Sequence, residues 1–511
     1  MRLIQPRNNS RGNDSKAVKK ASKKSSPKKS KANNIITQIE KIRVDVETNL
    51  AEYKDDFITI TDEEKLIKYL KASAKNGVIA IDTETTGLDA LRDGIVGVGI
   101  YTPKKKTAYI PINHVSYING SRIKNQLDEG VVQKALDKYL PKITEIIMFN
   151  ANFDLRVLRN LLGVKNVRCT WDCYLAARLM NENEPSSGLK PLHSKYVLRG
   201  RKDAFSYGDL FKGINFAFVP IDIGAIYASH DPKVTYELYA YQKKYLNYEN
   251  MNLKDVAWVF HNIEMPCVEP TIAMEDTGVR FDFAYNEKLK KKYHKLLDER
   301  QKQFNDVCKE YEEDILRYIK RAGDSCKLEY PVNIKSPGQL AILLYDIIRI
   351  EPLRDKRTKQ PIRSTNEATL QALKHPLADA ILDYREFSTI VGTFIDTLPT
   401  WVHEDGRVHC KFNQCGARTG RFSSEEPNMQ NLPSKLKDIR QMFIASNDEF
   451  VVYEDNNKCF VVDVWDEVET LDGWKSAGSV AIGDELILSD GGKSVVVKSV
   501  KTKGTSRLIS Y

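Results

Sequence analysis

Eight cysteines in 511 residues include no CxxC pair; that spacing excludes a zinc module of the paired-cysteine kind, and the dilute usage argues against a disulfide framework. No apolar run approaches the length needed to cross a bilayer, and the basic N-terminus is not followed by an apolar signal core. Internal repeats are not evident. These absences lead to the expectation of a soluble intracellular protein. With 41% hydrophobic residues, a chain of this length has enough apolar material for three or four separate cores.

The formal net charge is +9 and the isoelectric point about 8.8, a balance that favours a polyanionic partner. Much of the excess lies in "SKAVKKASKKSSPKKSKANN". Lysine, serine and alanine with hardly an acid give such a segment nothing to bury, so residues 1–35 are expected to form a disordered, phosphate-attracting tail.

Beyond the tail, "VIAIDTETTGL" reads as a buried strand ending in carboxylates, with "DGIVGVGIYT" and "TAYIPINH" as two further strands. Helical segments and another strand at "EIIMFN" complete an α/β domain expected over residues 55–245. The pattern then turns helical. "AYNEKLKKKYHKLLDERQKQFNDVCKEYEEDI" predicts one long charged helix with a narrow stripe of Leu289, Tyr293, Leu296, Leu297 and Phe304. Ser336 and Pro337 open another helix as N-cap and first helical residue. A β-rich region begins at "RVHCKF".

In "IDTET", Asp82 and Glu84 stand two apart on a strand and leave it on one face. Paired anions repel, so such a pair is useful chiefly where a divalent cation neutralises it. "NANFD" separates Asn150 and Asp154 by one helical turn, and "YASHD" does the same for Tyr227 and Asp231. Three acidic sites converging on one α/β domain suit two-metal phosphodiester hydrolysis.

These stretches resemble the three exonuclease motifs of the DEDD superfamily, tyrosine subtype, as found in the proofreading domain of family A DNA polymerases. The likeness extends over "AYIPINH" and "TWDCYLAARLM". It implies a ribonuclease H-like exonuclease domain with two ions, Mg2+ or Mn2+. Carried over, Asp82, Glu84 and Asp231 would hold the first ion and Asp82 and Asp154 would bind or support the second. Tyr227 would orient the water, and Leu88 and Asn150 would contact the unstacked strand terminus. An active 3′–5′ exonuclease is expected.

The resemblance continues through "IEMPCVEPTIAMEDTGVRFD" and "NIKSPGQLAILLY" into "VHCKFNQCGARTGRFSSEEPNMQNLP". It implies that residues 255–458 hold the helical thumb and the start of a polymerase palm. Thr419, Arg421, Asn428 and Asn431 would then touch primer and template, through donors that grip sugar and phosphate without reading sequence. "IRQMFIASNDEFVVYED" resembles the strand entering palm motif A, which makes Asp455 the catalytic metal-binding aspartate. The continuation "DNNKCF" departs from the family pattern. The fingers helix and second acidic motif are missing from the chain given, so it is not expected to polymerise alone.

From Cys459 the character changes. "CFVVDVWDEVETLDGWKSAGSVAIGDELILSDGG" resembles the beginning of an intein, an all-β Hint-type fold, over residues 459–511. Cys459 would attack the carbonyl of Lys458 and convert the amide to a thioester. A split intein is the favoured reading, its second half arriving with a C-terminal polymerase fragment. The expectation is therefore a multi-domain α/β and α protein acting in DNA replication, with primer-template DNA, single-stranded 3′ ends and, once completed, dNTPs as partners. Its place would be the cytoplasm of a bacterium or phage-infected host. A stand-alone exonuclease and a non-catalytic primer-template scaffold are the competing readings.

Overall fold

The structure is a computed structural model describing residues 28–49, 56–184, 188–201, 210–211, 213–355, 357–433 and 436–444, and the strands lying between 450 and 510. The chain divides into two compact units, Met1–Met265 and Pro266–Tyr511. The first outlasts the expected end near 245 because the following helical turn returns to it. Phe260 is fully buried, with its ring 4.6 Å from that of Trp171.

The first unit is built on a mixed six-stranded sheet. Its strands are β1 (Phe57–Thr59), β2 (Val78–Thr85), β3 (Ile95–Tyr101), β4 (Thr107–Pro111), β5 (Glu145–Met148) and β6 (Trp171–Asp172), in the order β1-β4-β3-β2-β5-β6. β2, β3 and β4 pair antiparallel, whereas β5 lies parallel to β2, β6 to β5 and β1 to β4. Ile79, Ala80, Ile81, Val96, Val98 and Ile100 are fully buried. Such near-continuous apolar runs are those of strands covered on both faces.

The covering helices begin where capping chemistry allows. α1 spans Lys28–Asn49 and therefore starts inside the segment read from composition as tail. Its Ile39, Ile42 and Val46 pack into a core with Phe211, Phe216 and Ile223. α2 (Glu63–Asn76) opens with the Asp62 carboxylate accepting from Lys65 N and ends at Gly77, whose φ of 82° suits a residue without Cβ. α3 (Glu129–Tyr139), α4 (Ala151–Arg156), α5 (Cys173–Met180) and α6 (Leu189–Tyr196) follow. α7 (Ile221–Tyr245) is the longest helix of this unit. It crosses the sheet at Gly99, where an added Cβ would lie 2.2 Å from the carbonyl oxygen of Ala228. Glycine there is a condition of the close helix-to-sheet approach.

In the second unit, α8 (Phe283–Lys309) buries Leu289, Tyr293 and Phe304, with Leu296 and Leu297 packed beside them, as the stripe predicts. The predicted single helix breaks at Glu310 and Tyr311, and α9 (Glu312–Ala322) starts afresh with three acids in its first turn. The break brings Ile315 into the cluster that also holds Phe304 and Cys308. The helix Pro337–Ile342 begins as expected, with Ser336 accepting from Gln339 N and Pro337 at its first position.

Short strands complete this unit: β7 (Val279–Phe281), β8 (Leu353–Arg354), β9 (Pro361–Ile362), β10 (Arg407–Val408), β11 (Lys411–Asn413), β12 (Ser423–Glu425) and β13 (Phe443–Ile444). β11 and β12 form an antiparallel pair around the polar "GARTGR" loop. From 450 onward come β14 (Phe450–Asp455), β15 (Lys458–Asp463), β16 (Glu467–Thr470), β17 (Gly473–Ser476), β18 (Glu485–Ile487), β19 (Lys493–Thr502) and β20 (Thr505–Ser510). They make one sheet, ordered β15-β14-β20-β19-β18-β16-β17. The expected boundary at Cys459 thus falls inside a sheet that takes one strand from before it.

Candidate active site

The sequence alternation along β2 places Asp82 and Glu84 on one face, and the register sets Asp82 opposite Gly99 and Glu84 opposite Gly97. Glycine on β3 lets neighbours approach closely beside both carboxylates, and at Gly97 the Tyr109 ring takes the space a side chain would need. At Gly99 the Ala228 backbone fills the corresponding space, which lays the Tyr227-to-Asp231 turn of α7 against the end of β2.

Asp154 comes from the other side. Its Oδ1 accepts from Thr83 N at 2.9 Å and from Thr83 Oγ1 at 2.6 Å, tying α4 to the strand residue between the acidic pair. α4 starts at Asn150, whose φ of 63° places a non-glycine residue in the left-handed region. Asparagine tolerates that conformation better than most residues, at some cost in strain. The position is held by Asp172, which is almost fully buried at the junction of β6 and α5. Its carboxylate accepts from Asn150 N at 3.0 Å, Ala151 N at 2.8 Å, Tyr174 N at 2.8 Å and Leu175 N at 3.4 Å. One side chain therefore caps α5 and fixes the entry to α4.

Burial and mutual repulsion dominate the electrostatics. The Asp82 carboxyl is pushed well above its ordinary range by burial and then by Asp154, Asp231 and Glu84. Glu84 is raised by burial and by Asp231, against the opposing pull of Lys190. Asp154 rises to about 7 through burial, although the Thr83 bonds work the other way. Burial also raises Tyr227, helped by the charges of Asp231, Glu84 and Asp82, so its phenol keeps its proton. Edge-to-face contact with Phe211 at 5.3 Å holds that ring.

A cation, Lys190, stands among these anions. Lys190 Nζ, from α6, lies 2.9 Å from Asp231 Oδ1 and 4.1 Å from the centroid of the Tyr227 ring. Asp231 Oδ1 is buried and makes no directed hydrogen bond, so the lysine contact is one of charge. Hard carboxylate oxygens in this number suit a divalent cation, and a buried oxygen without a hydrogen bond is the kind of donor an ion would satisfy. As the side chains stand, no three His, Cys, Asp or Glu among the described residues converge closely enough to ligate one ion.

The other expected residues are placed less decisively. Leu88 is exposed beyond the end of β2, as a contact to an unstacked base would require. Thr419, Arg421, Asn428 and Asn431 are all exposed in and after the β11–β12 pair. Asn428 also has a local task, accepting from Gln430 N at 3.1 Å and from the Ser424 hydroxyl at 3.1 Å. Asp455 ends β14 opposite Lys458, and Cys459 pairs with Glu454 in backbone register; their side chains lie outside the described residues. Asp172, Thr83, Gly99 and Lys190 escaped sequence reasoning. The only signal for Asp172 was its place as an N-cap before "CYLAARLM".

Fold and site together define a mixed α/β domain with a buried acidic centre that holds a lysine among its carboxylates. Residues 57–247 match the 3′–5′ exonuclease family, and residues 294–458 match DNA polymerase family A. The chain is thus similar to the 3′–5′ exonuclease family over most of its first unit and to DNA polymerase family A over part of its second. It is 30% identical over 409 residues to DNA polymerase I of Synechocystis, covering 78% of this chain and 38% of the relative. Against the thermostable DNA polymerase I of Thermus caldophilus it is 37% identical over 194 residues, which cover 37% of this chain and 21% of that protein. The polymerase domain of Pol1 from M. smegmatis, solved with DNA primer-template and dNTP, shares the fold with a TM-score of 0.54. Identity there is 19%, over 77% of this chain and 59% of that one. The chain thus spans about two fifths of the length of the Synechocystis relative. Among the described residues, no helix is long and apolar enough to cross a membrane.

Proposed function

We propose that the first unit removes nucleotides from DNA 3′ ends by metal-assisted phosphodiester hydrolysis, as the proofreading part of a replicative polymerase. The observation that carries this is the grouping of Asp82, Glu84, Asp154, Asp231 and Tyr227, from β2, α4 and α7, around the C-terminal half of β2, an interior strand of the sheet. The order β4-β3-β2-β5-β6, with β2 to β4 antiparallel and β5 and β6 parallel to β2, supports the ribonuclease H-like reading.

Asp82, Glu84 and Asp231 would hold one Mg2+ or Mn2+, and Asp82 with Asp154 would bind or support a second. Such ions supply Lewis acidity toward the attacking water and neutralise charge at the leaving 3′ oxygen. The protein's own part is positional. Thr83 holds Asp154 in line with the β2 pair. Tyr227, kept protonated, offers a fixed hydroxyl to orient the water. Exposed Leu88 and the left-handed Asn150 would receive the frayed terminus.

The test is magnesium-dependent release of nucleotides from a 3′-labelled single strand by the full chain. Asp82→Ala should abolish it; undiminished release by that variant would remove the metal-site assignment. Binding of primer-template without any cleavage would favour the non-catalytic scaffold.

In the second unit, exposed Thr419, Arg421, Asn428 and Asn431 would contact primer and template, and Asp455 would serve nucleotidyl transfer once the polymerase domain is complete, with dNTPs as substrates. We further propose that Cys459 opens a protein-splicing element of the Hint type, acting in trans with a partner that carries the rest of both domains. Two features support this: the polymerase match ends at Lys458, and all described elements after it are strands. Splicing would leave Lys458 joined to new sequence and residues 459–511 excised. A junction peptide reading straight from Lys458 into Cys459, in cells that also make the partner, would refute it.

A further inference from the structure

Lys190 is the feature of the acidic centre that hydrolysis does not call for. It is not a surface lysine leaning inward: its side chain is only 10% exposed, and that of Asp231 12%. α6 is anchored along its length, with Leu192 buried and His193 Nε2 bonded to Glu237 on α7 at 2.8 Å. The ammonium is thus delivered to Asp231 and to the face of Tyr227 by a helix fixed to the same helix that carries both.

We infer that Lys190 is a built-in cation that neutralises the acidic centre between catalytic cycles and is exchanged for the first divalent ion, setting how much metal the site needs. The inference rests on the nuclease reading above and adds a residue that acts through Asp231. Burying several carboxylates without a counter-charge is costly, and a neighbouring ammonium offsets that cost. The same ammonium must yield Asp231 before an ion can use it, because a lysine and a divalent cation cannot both lie against one carboxylate oxygen without repulsion. Asp231 Oδ1, held by charge without a directed hydrogen bond, is suited to such an exchange. The Tyr227 ring gives the ammonium an attractive surface to lean on while it is displaced. Lys190 is therefore a positioning residue, and its signature is metal affinity in the absence of DNA.

The experiment is a calorimetric titration of the full chain with Mn2+ alone, in wild type, Lys190→Met, Lys190→Arg and Asp231→Asn. Lys190→Met preserves the stem and removes the charge. It should bind Mn2+ tighter than wild type by about tenfold or more, since a charge contact at this range in a part-buried site is strong. Lys190→Arg should return toward wild type, and nuclease activity in Lys190→Met should saturate at lower metal. Equal or weaker Mn2+ binding by Lys190→Met would overturn the exchange. Lys190→Gln, polar and uncharged, repeats the comparison should the methionine variant misfold. Failure of the underlying site looks different: no Mn2+ uptake by wild type, or uptake undiminished in Asp231→Asn, would remove the nuclease assignment itself.

Discussion

Replacing Asp172 with alanine should disable the nuclease centre although Asp172 is not itself proposed to meet metal or substrate. The carboxylate serves the backbone N–H groups of Asn150, Ala151, Tyr174 and Leu175 from a site almost closed to solvent. A net contribution of about 1 kcal/mol for each lost bond gives roughly 4 kcal/mol in all, and stranded donors raise the figure. The loss is local, so it should appear as faster amide exchange over residues 147–176, read by mass spectrometry, while α8 and its neighbours exchange as before. Without Asp172, Asn150 has less to hold its left-handed φ, and Asp154 sits one turn further along α4. Displacements of about 1 Å at a catalytic group cost on the order of 100-fold in rate, and nucleotide release should fall by at least that much. Asp172→Asn keeps one acceptor oxygen and should land between. Wild-type exchange and wild-type nuclease rate in Asp172→Ala would refute the claim that this side chain organises the centre.

Gly99→Ala sets a Cβ against the Ala228 carbonyl, so α7 must lift from β3; a drop in nuclease rate larger than the drop in DNA affinity checks it. His114 is buried between Tyr109 and the Val219 carbonyl, and burial lowers its imidazole to about 4. The unfolded chain binds that proton near pH 6.5, so stability is full above that value and lost as pH falls toward 4, by about 3 kcal/mol for this group. Denaturant midpoints of the first unit should therefore slope between pH 4 and 6.5, less so in His114→Gln. Arg421→Ala should weaken primer-template binding and shallow its dependence on salt by about one counter-ion, measured by fluorescence anisotropy over a salt series. Cys459→Ala should leave the chain unspliced in cells carrying the partner, with nuclease activity unchanged.

The acidic residues were legible because their chemistry is written in local spacing. Two residues on a strand and four on a helix fix which face a carboxylate takes, and β2 and α7 obey both. The apolar stripe of α8 was legible for the same reason. Lys190 was not, being one of 78 lysines and arginines, and its meaning lies in a contact with Asp231 across a bend of the chain. Asp172 carried a visible capping signal for α5, yet its second duty toward Asn150 depends on parallel pairing of β5 with β6. The break after α8 was hidden because the charged pattern runs on through Glu310 while the partner core changes. α1 was hidden by composition: its lysines and polar residues mask three apolar positions one or two turns apart.

That helix gives the first unit an outline that family likeness alone does not draw. The exonuclease match begins at residue 57, but Ile39, Ile42 and Val46 are packed among Phe211, Phe216 and Ile223, and Arg43 pairs with Asp222 at the start of α7. A chain cut at the family's edge would leave an oily groove along the very helix that bears Tyr227 and Asp231. The shortest nuclease worth making therefore starts at or before Lys28, and one trimmed to residue 57 should come out sticky, sluggish and prone to clump.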